Sequence, residues 1–243
     1  MLSKLKLILE ENINFCQSSN LQGVLMKNIS ADYAEKLHNL RFNPYSIGVY
    51  KEEDRSVWTI SATSREAYEN ILLPLYEDSF DDFVIYNGNH HVKIEDKTLE
   101  CTSLEEAYDK VECGGVFSRY VINFATPTAF KSNGKYISFP DFRLIYQNLI
   151  NKYNYTIADS RNDDTELINR LAAASLITRY DIKSVGFPLE KTKINGCFGR
   201  VEFTVNDDIQ ICKLINWLLT FGEYSGLGIK GSMGMGRILV DRK

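Results

Sequence analysis

Gly226-Leu227-Gly228-Ile229-Lys230-Gly231-Ser232-Met233-Gly234-Met235-Gly236-Arg237 runs straight into the apolar Ile238-Leu239-Val240. Five glycines in eleven positions give a backbone able to enter the positive-φ region repeatedly and to approach another molecule closely. Lys230 and Arg237 lie in or beside it, so an anionic guest fits. Gly226-x-Gly228-x-x-Gly231 matches the dinucleotide-binding fingerprint, which requires a strand before it, a helix after it and an acidic residue about 20 positions on. Here the helical pattern Ile209 to Phe221 comes before the glycines, and only twelve residues follow Gly231. A βαβ unit has no room. No Gly-Lys-Ser/Thr triplet makes a P-loop either. What remains is a helix, a glycine loop and a closing strand. The loop is either a phosphate-binding nest of backbone N–H groups or a tight connection packed on the helix.

Working outward, each half of the chain reads as a β-α-β-β-α-β unit. Leu5, Leu7 and Leu9 alternate with Lys4 and Lys6 in a first strand over Leu2 to Leu9. Helical spacing covers Asn20 to Asn28 and Asp32 to Leu40, with Ser30 as N-cap and Pro44 beyond the end. Tyr45 to Tyr50 and Ser56 to Ser61 form a hairpin, and Arg65 to Leu73 a helix ended by Pro74. Phe83 to Tyr86 and His91 to Ile94 flank an Asn87-Gly88-Asn89 turn. Glu95 to Glu112 is expected as an acidic surface excursion leading to Gly114-Gly115. The second half gives a strand over Val116 to Ala125 and helices over Asp141 to Tyr153 and Asp164 to Tyr180. Strands Ile182 to Leu189 and Gly199 to Val205 follow, joined by a basic loop with Lys191, Lys193 and Gly196. Asp208 to Phe221 is a helix and Gly236 to Asp241 the last strand. The fold class is therefore α+β, two tandem ferredoxin-like domains over residues 1–113 and 114–243.

Composition agrees with a folded protein: 243 residues, 44% hydrophobic, 12% aromatic. The five cysteines are scattered without a C-x-x-C pair, which suits buried thiols in a reducing compartment. Glu10 and Glu11 interrupt any leader-like start, and no apolar run is long enough to span a bilayer, so a soluble, cytoplasmic protein is expected. The net charge of −4 hides an asymmetry. Residues 1–113 hold 11 basic and 20 acidic side chains, a net of −9, whereas 114–243 hold 17 and 12, a net of +5. A polyanion would meet the second half.

There are three histidines. His90 and His91 are adjacent and would point to opposite faces of a strand. His38 shares a helix face with Ala34 and Arg41, beside the apolar stripe of Tyr33, Leu37 and Leu40. It is either a helix-end histidine or the rim of a groove. No metal-ligand cluster and no G-x-S-x-G elbow occurs, so neither a metal nor a cofactor is expected, and acid–base chemistry by a lone histidine is the natural enzymatic option.

Several segments together resemble the CRISPR-associated endoribonuclease family that cuts precursor CRISPR RNA within its repeats, a branch of the repeat-associated superfamily with tandem ferredoxin-like domains. They are Tyr33-Ala34-Glu35-Lys36-Leu37-His38 with Asn43-Pro44-Tyr45-Ser46, Phe124 to Lys131, Gly196-Cys197-Phe198-Gly199, and the loop Gly226 to Gly236, in the family's order. The resemblance implies a metal-independent attack of a 2′-OH on the adjacent phosphate, leaving 2′,3′-cyclic phosphate and 5′-OH ends. His38 would be the general acid or base, since an ordinary imidazole near ~6.5 serves either role at neutral pH. Family members place a Lys or Tyr near the histidine. Here Asn43 stands where the Lys is expected, and Arg41 is the nearest substitute, followed by Tyr33 and Lys27.

The implied partner is CRISPR repeat RNA. The expected contacts are Gly226, Gly228, Lys230, Gly231, Ser232, Gly234, Gly236 and Arg237 in the loop, then Lys131, Lys135, Lys191, Lys193 and Arg200. Other subunits of a CRISPR effector complex, and a second copy as a homodimer, stay open as partners. The alternative function is a non-catalytic RNA-binding subunit of such a complex, which would have no use for His38.

Overall fold

A computed structural model describes residues 1–85, 90–158, 164–189 and 192–243. The expected Asn87-Gly88-Asn89 turn and Lys191 lie outside the described residues.

The first strand, β1 (Leu2–Leu9), follows its alternation: Leu5 and Leu7 are fully buried, each worth about 1.5–3 kcal/mol over an exposed side chain. Helices α1 (Ser18–Lys27) and α2 (Ala31–His38) come next, the latter capped as expected by Ser30, whose side chain accepts from the Tyr33 N–H. β2 (Tyr45–Glu52) and β3 (Arg55–Ala62) form the hairpin, turning at Glu53 and Asp54, both with positive φ. α3 (Arg65–Ala67) continues through a π turn, Tyr68–Leu72, into α4 (Leu73–Tyr76). Pro74 therefore sits inside the last turn rather than ending the helix at Leu73. The wide turn before it opens the backbone where the proline ring would otherwise crowd a regular helix.

β4 (Asp82–Ile85) leads to β5 (His90–Thr102), and here the acidic stretch departs from expectation. Most of it is strand and helix, not a surface excursion: β5 runs antiparallel to β1 from Leu2↔Thr102 to Leu9↔Ile94, and α5 (Leu104–Cys113) follows under a Ser103–Glu106 capping box. The exposed face of β5 carries the acidic residues, which masks its alternation. The first sheet has the order β2-β3-β1-β5-β4.

β6 (Arg119–Thr128) opens the second unit, followed by a small hairpin of β7 (Phe130–Ser132) and β8 (Lys135–Ile137). α6 (Phe142–Tyr153) is capped by Asp141 and α7 (Thr165–Ala174) by Asp164. The expected helix to Tyr180 stops at Ala174, because Ser175 turns into β9 (Ser175–Leu189) and the β-branched pair Ile177-Thr178 joins the sheet. Lys193 and Gly196 likewise belong to β10 (Thr192–Val205), not to a loop. α8 (Ile209–Ser225), capped by Asp208, and β11 (Ile238–Arg242) complete the order β11-β6-β10-β9. Fourth, first, third, second is the ferredoxin-like order, and β5-β1-β3-β2 repeats it in the first sheet.

Each sheet has its own apolar core, and a smaller cluster joins Leu2, Ala107 and Val111 to Trp217 and Phe221 on α8. Polar bonds also cross between the sheets: Ser46 Oγ donates to the Tyr224 carbonyl at 2.6 Å. Among the described residues no helix is long and apolar enough to cross a membrane.

Candidate nucleic-acid interface

α2 determines what faces outward near its end. Its inner stripe buries Tyr33 and Leu37, which leaves His38, the last helical residue, exposed. A cavity of about 390 Å³ opens beside it, walled by Gln22 and Met26 of α1, by Ala34, Leu37 and His38 of α2, and by Asn43 and Tyr45.

From His38 the chain crosses to the second unit. The Arg41 N–H donates to Tyr155 Oη at 3.2 Å, and Asn43 Nδ2 donates to Ser232 Oγ at 3.1 Å. These bonds set a second cavity, about 360 Å³, against the glycine loop: it shares Gln22, Leu40, Asn43 and Tyr45 with the first and adds Lys230, Gly231 and Ser232. A third, about 730 Å³, shares Arg41, Phe42, Asn148 and Ile229 with the second and ends at Lys131 to Asn133 on the β7–β8 hairpin. The three make one trough from His38 past Lys230 to Lys131. Its exposed cations are Arg41, Lys230 and Lys131.

The glycine loop divides by position. Gly226, Gly228, Gly234 and Gly236 are buried with positive φ, and they serve close backbone packing. A Cβ at Gly236 would lie 1.9 Å from the Leu227 carbonyl oxygen, and one at Gly228 would lie 2.2 Å from that of Ala129. Only Gly228 of these four borders the trough; Gly226, Gly234 and Gly236 are not available to RNA as expected. Lys230, Gly231 and Ser232 form the outward turn. Arg237 is a correction of the same kind: it is 2% exposed and donates to Ser61 Oγ and, at 2.5 Å, to the Glu223 carbonyl. Its guanidinium ties the second sheet to the first instead of meeting an anion.

Tyr33 is also overturned as a catalytic group. It is 5% exposed in the first core, its hydroxyl lacks a hydrogen bond, and burial pushes its pKa well up, because α2 turns this stripe inward. Lys135, Lys193 and Arg200 are exposed but border none of the three cavities; Lys193 instead crosses over Gly186 on β9.

Two trough residues escape a reading of sequence. Tyr45 is buried with its hydroxyl beside Gln22 and Ser232, and burial pushes it up to about 12. Lys152 is 7% exposed on α6; its Nζ donates to the carbonyls of Ser225 at 3.1 Å and Gly226 at 2.7 Å, at the negative end of α8. Among the described residues no carboxylate pairs with it, and burial lowers its pKa to about 7. The signal was present, since Ile145, Leu149 and Lys152 share one helical face and a lysine on an apolar stripe is unusual.

The chain resembles proteins whose names carry the same chemistry. Residues 122–238 match the family model for the CRISPR-associated endoribonuclease Cas6. A curated Cas6 endoribonuclease of Mycobacterium tuberculosis is 34% identical over 91% of this chain and 70% of its own length. One from Streptococcus thermophilus is 32% identical over 91% of this chain and 90% of its own. Among solved structures, a Cas6 product complex aligns over 99% of both chains with a TM-score of 0.77 at 19% identity. Thermus thermophilus Cas6 aligns over 99% of this chain and 98% of its own, with a TM-score of 0.73 at 15% identity. The structural likenesses carry the fold and the curated relatives carry the family: the chain belongs to the CRISPR-associated endoribonuclease Cas6 family.

Proposed function

We propose that this chain binds CRISPR repeat RNA along the trough and cuts precursor CRISPR RNA within its repeats, without a metal ion. The observation that carries the reading is an exposed imidazole, His38, at one end of a continuous channel along which the exposed Arg41, Lys230 and Lys131 are spaced. In the reaction the 2′-hydroxyl oxygen bonds to the neighbouring phosphorus, the bond from phosphorus to the 5′ oxygen breaks, and one proton moves from the former to the latter oxygen. His38 accepts or supplies that proton. Arg41 compensates the charge that grows on the phosphate oxygens, which Asn43 cannot do. Lys230, Ser232 and Lys131 hold the flanking backbone. The buried glycines act indirectly, by fixing where Lys230 and Ser232 stand. Residues 1–113 carry the histidine and 114–243 the loop.

The test is cleavage of the source organism's repeat RNA in EDTA, beside His38→Ala. The expected result is a single cut ending in a cyclic phosphate, slowed about 10²–10⁴-fold in the variant with binding retained. Tight binding without cutting by the unmodified protein would instead identify a binding subunit.

A further inference from the structure

The largest of the three cavities has a composition that phosphate binding does not explain. Along one face of α6 it presents the side-chain amides of Gln147, Asn148 and Asn151, opposite Arg41 and Phe42. Asn148 Oδ1 accepts from the Gly228 N–H at 2.7 Å. That bond fixes which end of the amide is oxygen and leaves both N–H donors of Nδ2 without a partner among the described residues. The side chains of Gln147 and Asn151 make no hydrogen bond among the described residues. Gln147 and Asn151 each offer a donor and an acceptor, and Asn148 adds its two donors; this mixture matches the edges of nucleobases, whereas phosphate oxygens would use the donors alone. The opposite wall supplies a stacking surface. The Arg41 guanidinium lies over the Phe42 ring at 5.4 Å, and Phe42 is held edge-on by Tyr155 at 5.5 Å.

Resting on the function proposed above, we propose that this cavity takes one unpaired nucleobase of the repeat RNA, stacked against Phe42 and read on its edge by Asn148 and Asn151. Lys131, at the cavity's rim, takes the phosphate beside that base. Recognition of an unpaired base by stacking plus edge hydrogen bonds is how proteins read RNA sequence outside a helix. The site would thus select sequence at one position, whereas the rest of the trough follows the backbone.

The experiment measures affinity of the full chain for a series of repeat RNAs, each with a single unpaired nucleotide made abasic. It compares the unmodified protein with Asn151→Ala and Asn148→Asp. The aspartate keeps an acceptor for the Gly228 N–H but removes the two donors, so the loop stays anchored. The expected result is one position at which the abasic change weakens the unmodified protein about 5- to 100-fold and the variants hardly at all. If every abasic position weakens all three proteins alike, the base pocket is wrong while RNA cleavage stands. If the unmodified protein shows no salt-sensitive affinity for any repeat RNA, both this inference and the proposed function fail.

Discussion

Asn43 and Ser232 stand 189 residues apart in sequence, yet the Asn43 amide donates to the Ser232 hydroxyl at 3.1 Å. This one bond joins the segment that follows the candidate catalytic histidine to the turn that presents Lys230. Its energetic worth is modest, about 0.5–1.5 kcal/mol. Its consequence for geometry is larger, because Asn43 lines both cavities where they meet.

A double-mutant cycle measures that link. Asn43→Ala and Ser232→Ala should each lower kcat/KM for repeat cleavage several-fold, and the double variant should lose no more than the worse single one. The expected coupling is about 0.5–1.5 kcal/mol. Strictly additive losses would mean that the two residues act separately.

Lys152 makes stability depend on pH in a definite direction. Burial lowers its pKa from 10.5 to about 7, so between those values the unfolded chain binds a proton that the folded chain has released. Stability therefore rises with pH across that window, by up to about 1.4 kcal/mol per unit. Lys4, lowered to about 8 chiefly by burial, adds to the same rise and is present in both proteins compared. Against Lys152→Met, the unmodified chain should gain urea stability between pH 7 and 9. Parallel curves for the two proteins would show that the Lys152 ammonium is not what titrates.

What could be read from the sequence follows from which residues speak for themselves. Strand alternation in Leu2 to Leu9, the Ser30 and Asp208 caps and the helix–glycine–strand ending each encode a local geometry, and the order of elements followed from them. β5 was hidden because solvent-facing Glu and Asp look like a loop when the other face cannot be seen. At 175–180 the apolar spacing fits either period, and only the pairing with β10 selects strand. For the site, spacing left His38 open between a helix-end histidine and a groove rim, and the resemblance singled it out; Lys230 stood out as a cation within the glycine run, and both border the trough. Arg237 and the buried glycines Gly226, Gly234 and Gly236 were misjudged for one reason: residues that bind anions and residues that let two backbones meet have the same composition. Whether an arginine faces RNA or Ser61 depends on the other half of the fold.

The glycines give a sharp contrast. At Gly236, φ is +76° and a Cβ would meet the Leu227 carbonyl oxygen at 1.9 Å, so Gly236→Ala forces the backbone to move. Strain at such a position costs of order 1–3 kcal/mol before the clash is counted. At Gly231 the nearest atom to a Cβ is 3.5 Å away and φ is not in the left-handed region, so Gly231→Ala should change stability by less than about 1 kcal/mol. Thermal melts of the two variants test this directly: equal Tm values would contradict the division of the loop into a packing part and a presenting part.

Arg237 and Lys230, two cations of one loop, should separate stability from binding. Arg237 is buried and donates to the Glu223 carbonyl on α8 and to Ser61 on β3, the second of which crosses to the first sheet. Arg237→Met removes them and leaves the Glu223 carbonyl and Ser61 hydroxyl to find other partners, a loss of about 1–3 kcal/mol. The fraction that remains folded should bind repeat RNA with unchanged salt dependence. The Lys230 ammonium is exposed at the trough with no hydrogen-bond or ion-pair partner among the described residues, and the backbone bonds to its carbonyl survive truncation, so Lys230→Ala should leave the Tm nearly unchanged. Its effect belongs in the salt dependence of RNA affinity, where removing one phosphate contact reduces the slope of log K against log salt by about 0.7–0.9. A shallower slope for Arg237→Met, with Lys230→Ala unaffected, would reverse the two assignments and place the buried guanidinium on the RNA.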